Sequence, residues 1–334
     1  MNMPTLFRTI RWMTVDTLRQ AIASRLFWVM LAVTAVGTLL GLSVSVKGGP
    51  KPVRYGFEVP SVLPKDEAER IGREKVEEDG VRILDGRLSL LFGAFEVPIP
   101  RGKDDVVRQL HVWLGALVAD TVGILFALIW TAGFLPTFLE PQSATVLLSK
   151  PVSRWSILLG KYLGVVLFAA FNAALFVGCT WTALGIKTGC WDATYWLAVP
   201  LLACNFAVFY AVSAFLAVCT RSTVAAAFGT LLFWAVCWLM NFAHHRSIMS
   251  GLEGMTGGSR FLLDLGYWFL PKPFDMGNLF FDVMRAEVFA VRPEEMKALV
   301  EKGQYHPELA AAANAAFAVG TLGLAAYEFE TLDY

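Results

Sequence analysis

The stretch "FLEPQSATVLLSKPVSRWSILLGKYLGVVLF" runs from Phe138 to Phe168, between two long apolar runs. It holds Glu140, Lys150, Arg154 and Lys161, with Pro136, Pro141 and Pro151 in or beside it. Any short polar loop could turn a chain back across a bilayer, so this make-up asks for a reason. Glu140 precedes Pro141, and a residue before proline avoids the α region, which ends the preceding helix there. Pro141 suits the first turn of a new helix, where its missing N–H is harmless. "QSATVLLS" then reads as a short amphipathic helix with Val146, Leu147 and Leu148 as its apolar contacts. Lys150–Pro151 ends it, and Ser153 is placed to cap the next long helix. The connection is therefore a transverse rod bounded by proline at each end, able to pass motion to the two spans that it joins.

The composition around this rod is that of a membrane protein. Of 334 residues, 56% are hydrophobic and 17% charged, where a soluble domain carries about 25% charged residues; the mean hydropathy is +0.55. Six stretches approach or exceed the roughly 20 apolar residues that span a bilayer. They lie at 26–46, 113–139 (with Asp120 inside), 156–186, 193–220, 222–245 and 309–327, the last being alanine-rich. A charged lead precedes the first run and no small-residue cleavage site follows it cleanly, so 26–46 reads as a retained span. The expected architecture is an all-α polytopic membrane protein of six transmembrane helices, with an amphipathic helix over 1–25 and a small α+β ectodomain between spans 1 and 2.

Lys and Arg in short loops orient such a chain. They concentrate in the N-terminal lead (Arg8, Arg11, Arg19, Arg25), in the 140–155 connection and at Arg221, which share one side if there are six spans. Both termini, including the tail 328–334, are expected to be cytoplasmic, although the acidic "YEFETLDY" adds no support. On a helical wheel Arg8, Arg11 and Arg19 fall together, broadly opposite Leu6, Ile10, Met13, Leu18 and Ala21. That pattern describes an interfacial helix with its cations on anionic lipid heads.

Two larger segments fall outside. Residues 47–112 carry twelve cations and twelve acids. Within them "DEAERIGREKVEEDG" reads as a charged helix, and "VRILDGRLSLLFGAFEVPI" as strands around an Asp85–Gly86 turn. Residues 246–308 include "FLLDLGYWFLPKPFDMGNLFF", apolar yet broken by two prolines, Asp264, Lys272 and Asp275. It reads either as a re-entrant or interfacial helical hairpin, with its backbone satisfied by protein or water, or as an extracellular cap.

Catalytic motifs are missing. At both Gly-Lys pairs, Gly102–Lys103 and Gly160–Lys161, the first glycine of a P-loop is replaced, by Val97 and Trp155. The chain is therefore expected not to hydrolyse ATP and not to act as an enzyme. There is no HExxH and no GxSxG. Among His111, His244, His245 and His306, only the adjacent pair invites a metal or haem reading. Adjacent residues project to different faces of a helix, so solvated loop histidines are expected, and no metal. The five cysteines form no CxxC pair and read as buried small apolar residues. Asp120, an acid inside a span, is costly there. It contributes either to a transport path or to a structural pairing with Asn172, Asn205 or a threonine. Gly37/Gly41 and Gly160/Gly164 permit close helix approach.

"LEPQSATVLLSKPVSRWSILLGKYLG" strongly resembles the hallmark of type-2 ABC exporter permeases: a glutamate, a helix running into Leu-Leu-Ser-x-Pro-x-Ser-Arg, then Gly-Lys. It is similar to permeases of nitrous-oxide reductase maturation, sodium export and gliding systems. The resemblance covers most of 5–46 and 113–327; the segment 47–112 and the non-basic tail depart from the pattern. It implies an elbow helix at the N-terminus and a coupling helix after Glu140 that docks on a separate cytosolic ATPase, which binds ATP and Mg. Glu140, Pro141, Lys150, Pro151, Arg154, Gly160 and Lys161 match the motif. Glu140, Lys150 and Arg154 would bond the ATPase or the elbow helix, and Pro151 would set the corner. A second permease copy or homologous permease and the lipid bilayer complete the partners; no nucleic acid and no cofactor of its own are expected. The rivals are a membrane anchor for a periplasmic assembly and, more remotely, a metal- or haem-binding membrane enzyme.

Overall fold

The computed structural model describes residues 3–47, 86–99, 103–116, 121–138, 153–250, 256–286 and 294–331. Twelve helices and three strands follow in order: α1 (Met3–Ala23), α2 (Arg25–Ser43), β1 (Ser45–Lys47), β2 (Gly86–Leu90), β3 (Phe95–Ile99), α3 (Lys103–Ala116), α4 (Val122–Thr131), α5 (Phe134–Phe138), α6 (Arg154–Thr188), α7 (Ala198–Thr220), α8 (Thr223–Met249), α9 (Gly257–Phe269), α10 (Pro273–Val283), α11 (Glu294–Glu301) and α12 (Pro307–Thr331). Among the described residues, four stretches are long and apolar enough to cross a membrane: α6, α7 with its leading turn, α8 and α12. The count reaches five if α1 and α2, which meet at 66°, are taken as one bent span. Where a single span over 113–139 is expected, the described residues give the end of α3, then α4 and α5 separated by a turn at Ala132–Gly133.

Local chemistry sets the ends of the long helices. The Ser153 hydroxyl accepts from the N–H of Ser156 and opens α6. Gly189, at φ 74°, closes it in the left-handed conformation that costs glycine little. Asp192 accepts from the N–H of Thr194 and starts the turn into α7. Ser222 caps α8 through the N–H of Ala225. Pro273 occupies the first turn of α10, where no donor is needed.

α7 is the centre of the bundle: 67% of its apolar window is buried, against 17% for α8. Around it lie α4, α6, α8 and α12. Tyr162 of α6 donates to the Ala207 carbonyl at 2.7 Å, and its ring stacks on Tyr210, which stacks on Phe206. α2 lies parallel to α6, because Gly37 meets Phe176 while Gly41 meets Ala183 and Leu184. α1 crosses the first half of α6. A Cβ on Gly160 would lie 2.6 Å from Met13 Cβ, and one on Gly164 2.6 Å from Thr17 Cβ. Both small-residue pairs are therefore true contact sites. The start of α6, α1, the α7–α8 turn at Arg221 and the end of α12 form one face, called proximal here. The sheet, α3, α9 and α10 lie at the other, distal face.

The three strands form one antiparallel sheet in the order β1-β2-β3. Ser45 pairs with Ser89, and Leu90 with Phe95. The turn thus falls at Leu91–Ala94, and the expected Asp85–Gly86 turn is corrected: Gly86 begins β2, paired with Ile99. Leu88, Val44, Val106 and Leu184 bury a small core that seats the sheet on α3 and the end of α6. The charged helix expected over 66–80 lies outside the described residues. Residues 257–283 do form a helical hairpin broken at the two prolines, as α9 and α10.

Replacing Gly164 by valine forces α1 off α6, because backbone as well as side chain lies within reach of the new Cβ. Overpacking of this kind costs about 1–3 kcal/mol. Thermal unfolding in detergent should therefore shift down for Gly164→Val. For Gly320→Ala, where nothing lies within 4 Å, it should hold or rise. Equal midpoints for the two variants would contradict the docking.

Candidate functional site

The first two turns of α6 gather the proximal face. Arg154 Nη1 donates to the carbonyl oxygens of Phe329 at 3.1 Å and Glu330 at 3.3 Å. These belong to the last turn of α12, whose carbonyls lack intrahelical N–H partners and carry the negative end of the helix dipole. α12 has no basic residue in its last turn, so Arg154 supplies the missing cation from another helix. Two turns further along, Lys161 is buried against α1. Its Nζ donates to Gln20 Oε1 at 3.1 Å and lies 3.8 Å from Asp16 Oδ2. A buried ammonium needs such partners. Between these cations, Thr14 Oγ1 donates to the carbonyl of Gly160 at 3.2 Å.

The structure thus places the expected residues unevenly. Gly160 and Lys161 meet the N-terminal helix, and Arg154 meets the last span. Lys161 is folded into a helix–helix contact. Glu140, Pro141, Lys150 and Pro151 lie outside the described residues, as does Asp120. On α1, Arg8, Arg11 and Arg19 are exposed, together with Phe7, Trp12, Val15 and Ile22, and Arg25 is exposed at the first position of α2. The buried face, Met13, Thr17 and Ala21, is spent on α6. Asn172 is buried, its Nδ2 donating to Phe168 O of its own helix at 2.8 Å. It lines a shallow cleft with Met30, Ala127, Trp130 and Thr131, between α2, α4 and α6. Asn205 is buried in α7.

The distal face holds two polar clusters that the sequence did not announce. His245, with no exposed surface, sits with Nε2 3.0 Å from Asp275 Oδ1, and Tyr267 donates to Asp275 Oδ2 at 2.7 Å. His244 stacks flat on Tyr267 at 3.8 Å and lies 3.3 Å from Asp264. The expectation of solvated loop histidines is overturned, because α8 continues to Met249 and carries both rings under the α9–α10 hairpin. Lys272 is buried with Nζ over the rings of Tyr267 and Trp268, at 4.9 and 5.0 Å. The hairpin corner is pinned from both sides: Asn241 of α8 donates to Pro271 O, and Lys272 N–H donates to Asn314 Oδ1 of α12 at 2.8 Å. Lone asparagines in apolar helices were the available signal, since polar groups there need partners. The five cysteines are free, as expected, but their expected burial is corrected: only Cys237 is buried.

The second distal cluster lies ahead of the spans. Arg108 of α3 pairs with Asp192 at 3.3 Å, and His111 stacks on Tyr195 at 4.6 Å. Burial lowers His111 from 6.5 to about 4, only partly opposed by Asp192. Burial alone would raise the Asp192 carboxyl, but the Thr194 hydroxyl and N–H, then Arg108 and His111, hold it below its ordinary range. Both shifts act in one direction. Between pH 6.5 and about 4 the unfolded chain binds the His111 proton more readily than the folded one, so stability falls as pH falls. The Asp192 contribution is present above the ordinary carboxylate range and is lost below it. His111→Phe keeps the stack on Tyr195 and should flatten the loss between neutral pH and the His111 value, read as thermal midpoints in detergent. An unchanged pH slope would contradict the buried neutral imidazole.

A family model described as ABC-2 family transporter protein matches residues 17–256. Among curated proteins none matches the chain. The matched region begins within α1 at Thr17 and contains the connection over 140–153 and α6 to α8. With most of its length covered and three long apolar helices packed around a fourth, α7, the chain belongs to the ABC-2 family and is a multi-pass membrane permease of an ABC transporter.

Proposed function

We propose that this chain is the non-hydrolytic permease subunit of an exporter in the plasma (inner) membrane, with its proximal face and both termini in the cytoplasm. A separate ATPase, carrying ATP and Mg, would seat on the connection 140–153 as on a coupling helix. Glu140 and Lys150 would meet the ATPase, and Pro141 and Pro151 would keep the rod stiff. Two copies, or this chain with a homologous permease, would face each other, and closure of the ATPases would switch access to a path between the bundles. The finer likeness to nitrous-oxide-maturation, sodium-export and gliding permeases is part of this reading.

The observation that carries it is the tie at the start of α6. The residue next to the Ser153 cap, Arg154, grips the end of α12, and Lys161 grips α1. A push on the connection would therefore reach span 3, the last span and the elbow helix together. The absence of a P-loop supports an outside source for that push.

Reconstituted alone in liposomes, the chain should turn over no ATP. With its P-loop partner it should retain that ATPase on the membrane and support Mg-dependent hydrolysis. Replacing 140–152 by a Gly-Ser linker should weaken the association by about tenfold or more, near 1.4 kcal/mol. Turnover by the chain alone, or undiminished binding to the linker variant, would defeat the proposal.

A further inference from the structure

The tip of the β2–β3 hairpin is built against ordinary rules. Three successive residues are left-handed, with φ 50° at Leu91, 58° at Phe92 and 102° at Gly93. Only the glycine takes that conformation freely, whereas a leucine and a phenylalanine there are strained. The turn is closed by the N–H of Ala94 donating to Leu91 O at 3.2 Å. What it displays is apolar: Leu91 is 46% exposed, Phe92 74% and Phe95 60%. A soluble hairpin turn would carry Asn, Asp or Gly at these positions.

The register says where the tip points. β1 leaves the end of α2 and pairs antiparallel with β2, so that Ser45 lies opposite Ser89. Continuing along β2, Leu90 reaches the level of Val44, and the tip runs back alongside α2. Two to three residues beyond Ser89, at about 3.3 Å each, carry the tip about 7–10 Å down that helix. A helix rises about 1.5 Å per residue, so this is the level of the last two turns of α2. The tip indeed packs beside α2. Those turns show Leu39 and Leu40 outward. α2 has 19 residues, about the length of a hydrocarbon core, so its end lies at the headgroup boundary. Exposed Trp191 and Trp196, just past the distal end of α6, are of the type that gathers at this boundary.

We propose that Leu91, Phe92 and Phe95 insert into the bilayer leaflet at the distal end of α2, as a wedge that seats the ectodomain sheet on lipid. The occupant is the acyl–headgroup region of the membrane, because the tip continues the outward apolar surface of α2. Strain in the turn is offset there by removal of two large side chains from water. Buried Leu88 and the packed core beneath it keep the hairpin from folding its tip back. The inference rests on the spanning of α2 and not on the ATPase reading.

The test places a photoreactive phenylalanine analogue at Phe92 of the full chain in phospholipid nanodiscs. The same analogue at Phe228, outward on α8, serves as the lipid-facing reference. Irradiation should add the mass of one phospholipid at position 92, in yield comparable with that at 228. A phospholipid adduct at 228 with none at 92, or an adduct at 92 to a second copy or to another protein, overturns the proposal. Phe92→Ser should leave the thermal midpoint in lipid-free detergent unchanged, because the side chain packs on little of the protein. A marked drop there would mean that the tip serves a protein contact, and would overturn it as well.

Discussion

A lysine taken out of water between two helices needs an opposing group, and Lys161 has Asp16 and Gln20 to meet it. That requirement fixes the rotation of α1 about its own axis, because only one face carries both groups. Gly160 and Gly164 fix the distance by letting α1 touch the backbone of α6. With rotation and distance set, the three arginines of α1 point outward, while Met13, Thr17 and Ala21 are buried. Much of the proximal face follows from this one crossing.

Arg154 extends the same logic to the far end of the chain. The last turn of α12 ends in glutamates, with no cation of its own to oppose its dipole. Arg154 provides it across the bundle, which reconciles the acidic tail with a helix that ends cleanly. On the distal face the same device appears with other chemistry. His245, Asp275, Tyr267 and Lys272 sit beneath a proline-broken corner that Asn241 and Asn314 hold from two spans. Each face of the permease is thus tied by a few polar contacts between elements far apart in sequence, and the apolar bundle between them needs little beyond shape.

Spans over α6, α7, α8 and α12 were legible because long charge-free runs leave a chain few alternatives in a bilayer. Ser153 as a cap and the glycine pairs as contact points were legible for equally local reasons. What stayed hidden is non-local. The partners of Lys161 and Arg154 lie 141 and 175 residues away, and no spacing rule reaches that far. The histidine pair was misread because the charge-free run stops at His245, while the helix does not. Asp85–Gly86 looked like a hairpin turn by composition, but the pairing of β2 with β1 and β3 places that glycine inside a strand. A break in span 2 falls at Ala132–Gly133, where the apolar pattern alone gave no sign of it.

The central claim is that α1, the start of α6 and the end of α12 behave as one body. Spin labels at Arg11 and Thr331, both exposed, report on it directly in the complex with the ATPase. The account predicts one narrow distance distribution between them within a chain, unchanged whether the ATPase is empty or held with a non-hydrolysable nucleotide. A nucleotide-dependent separation of the two labels would contradict it.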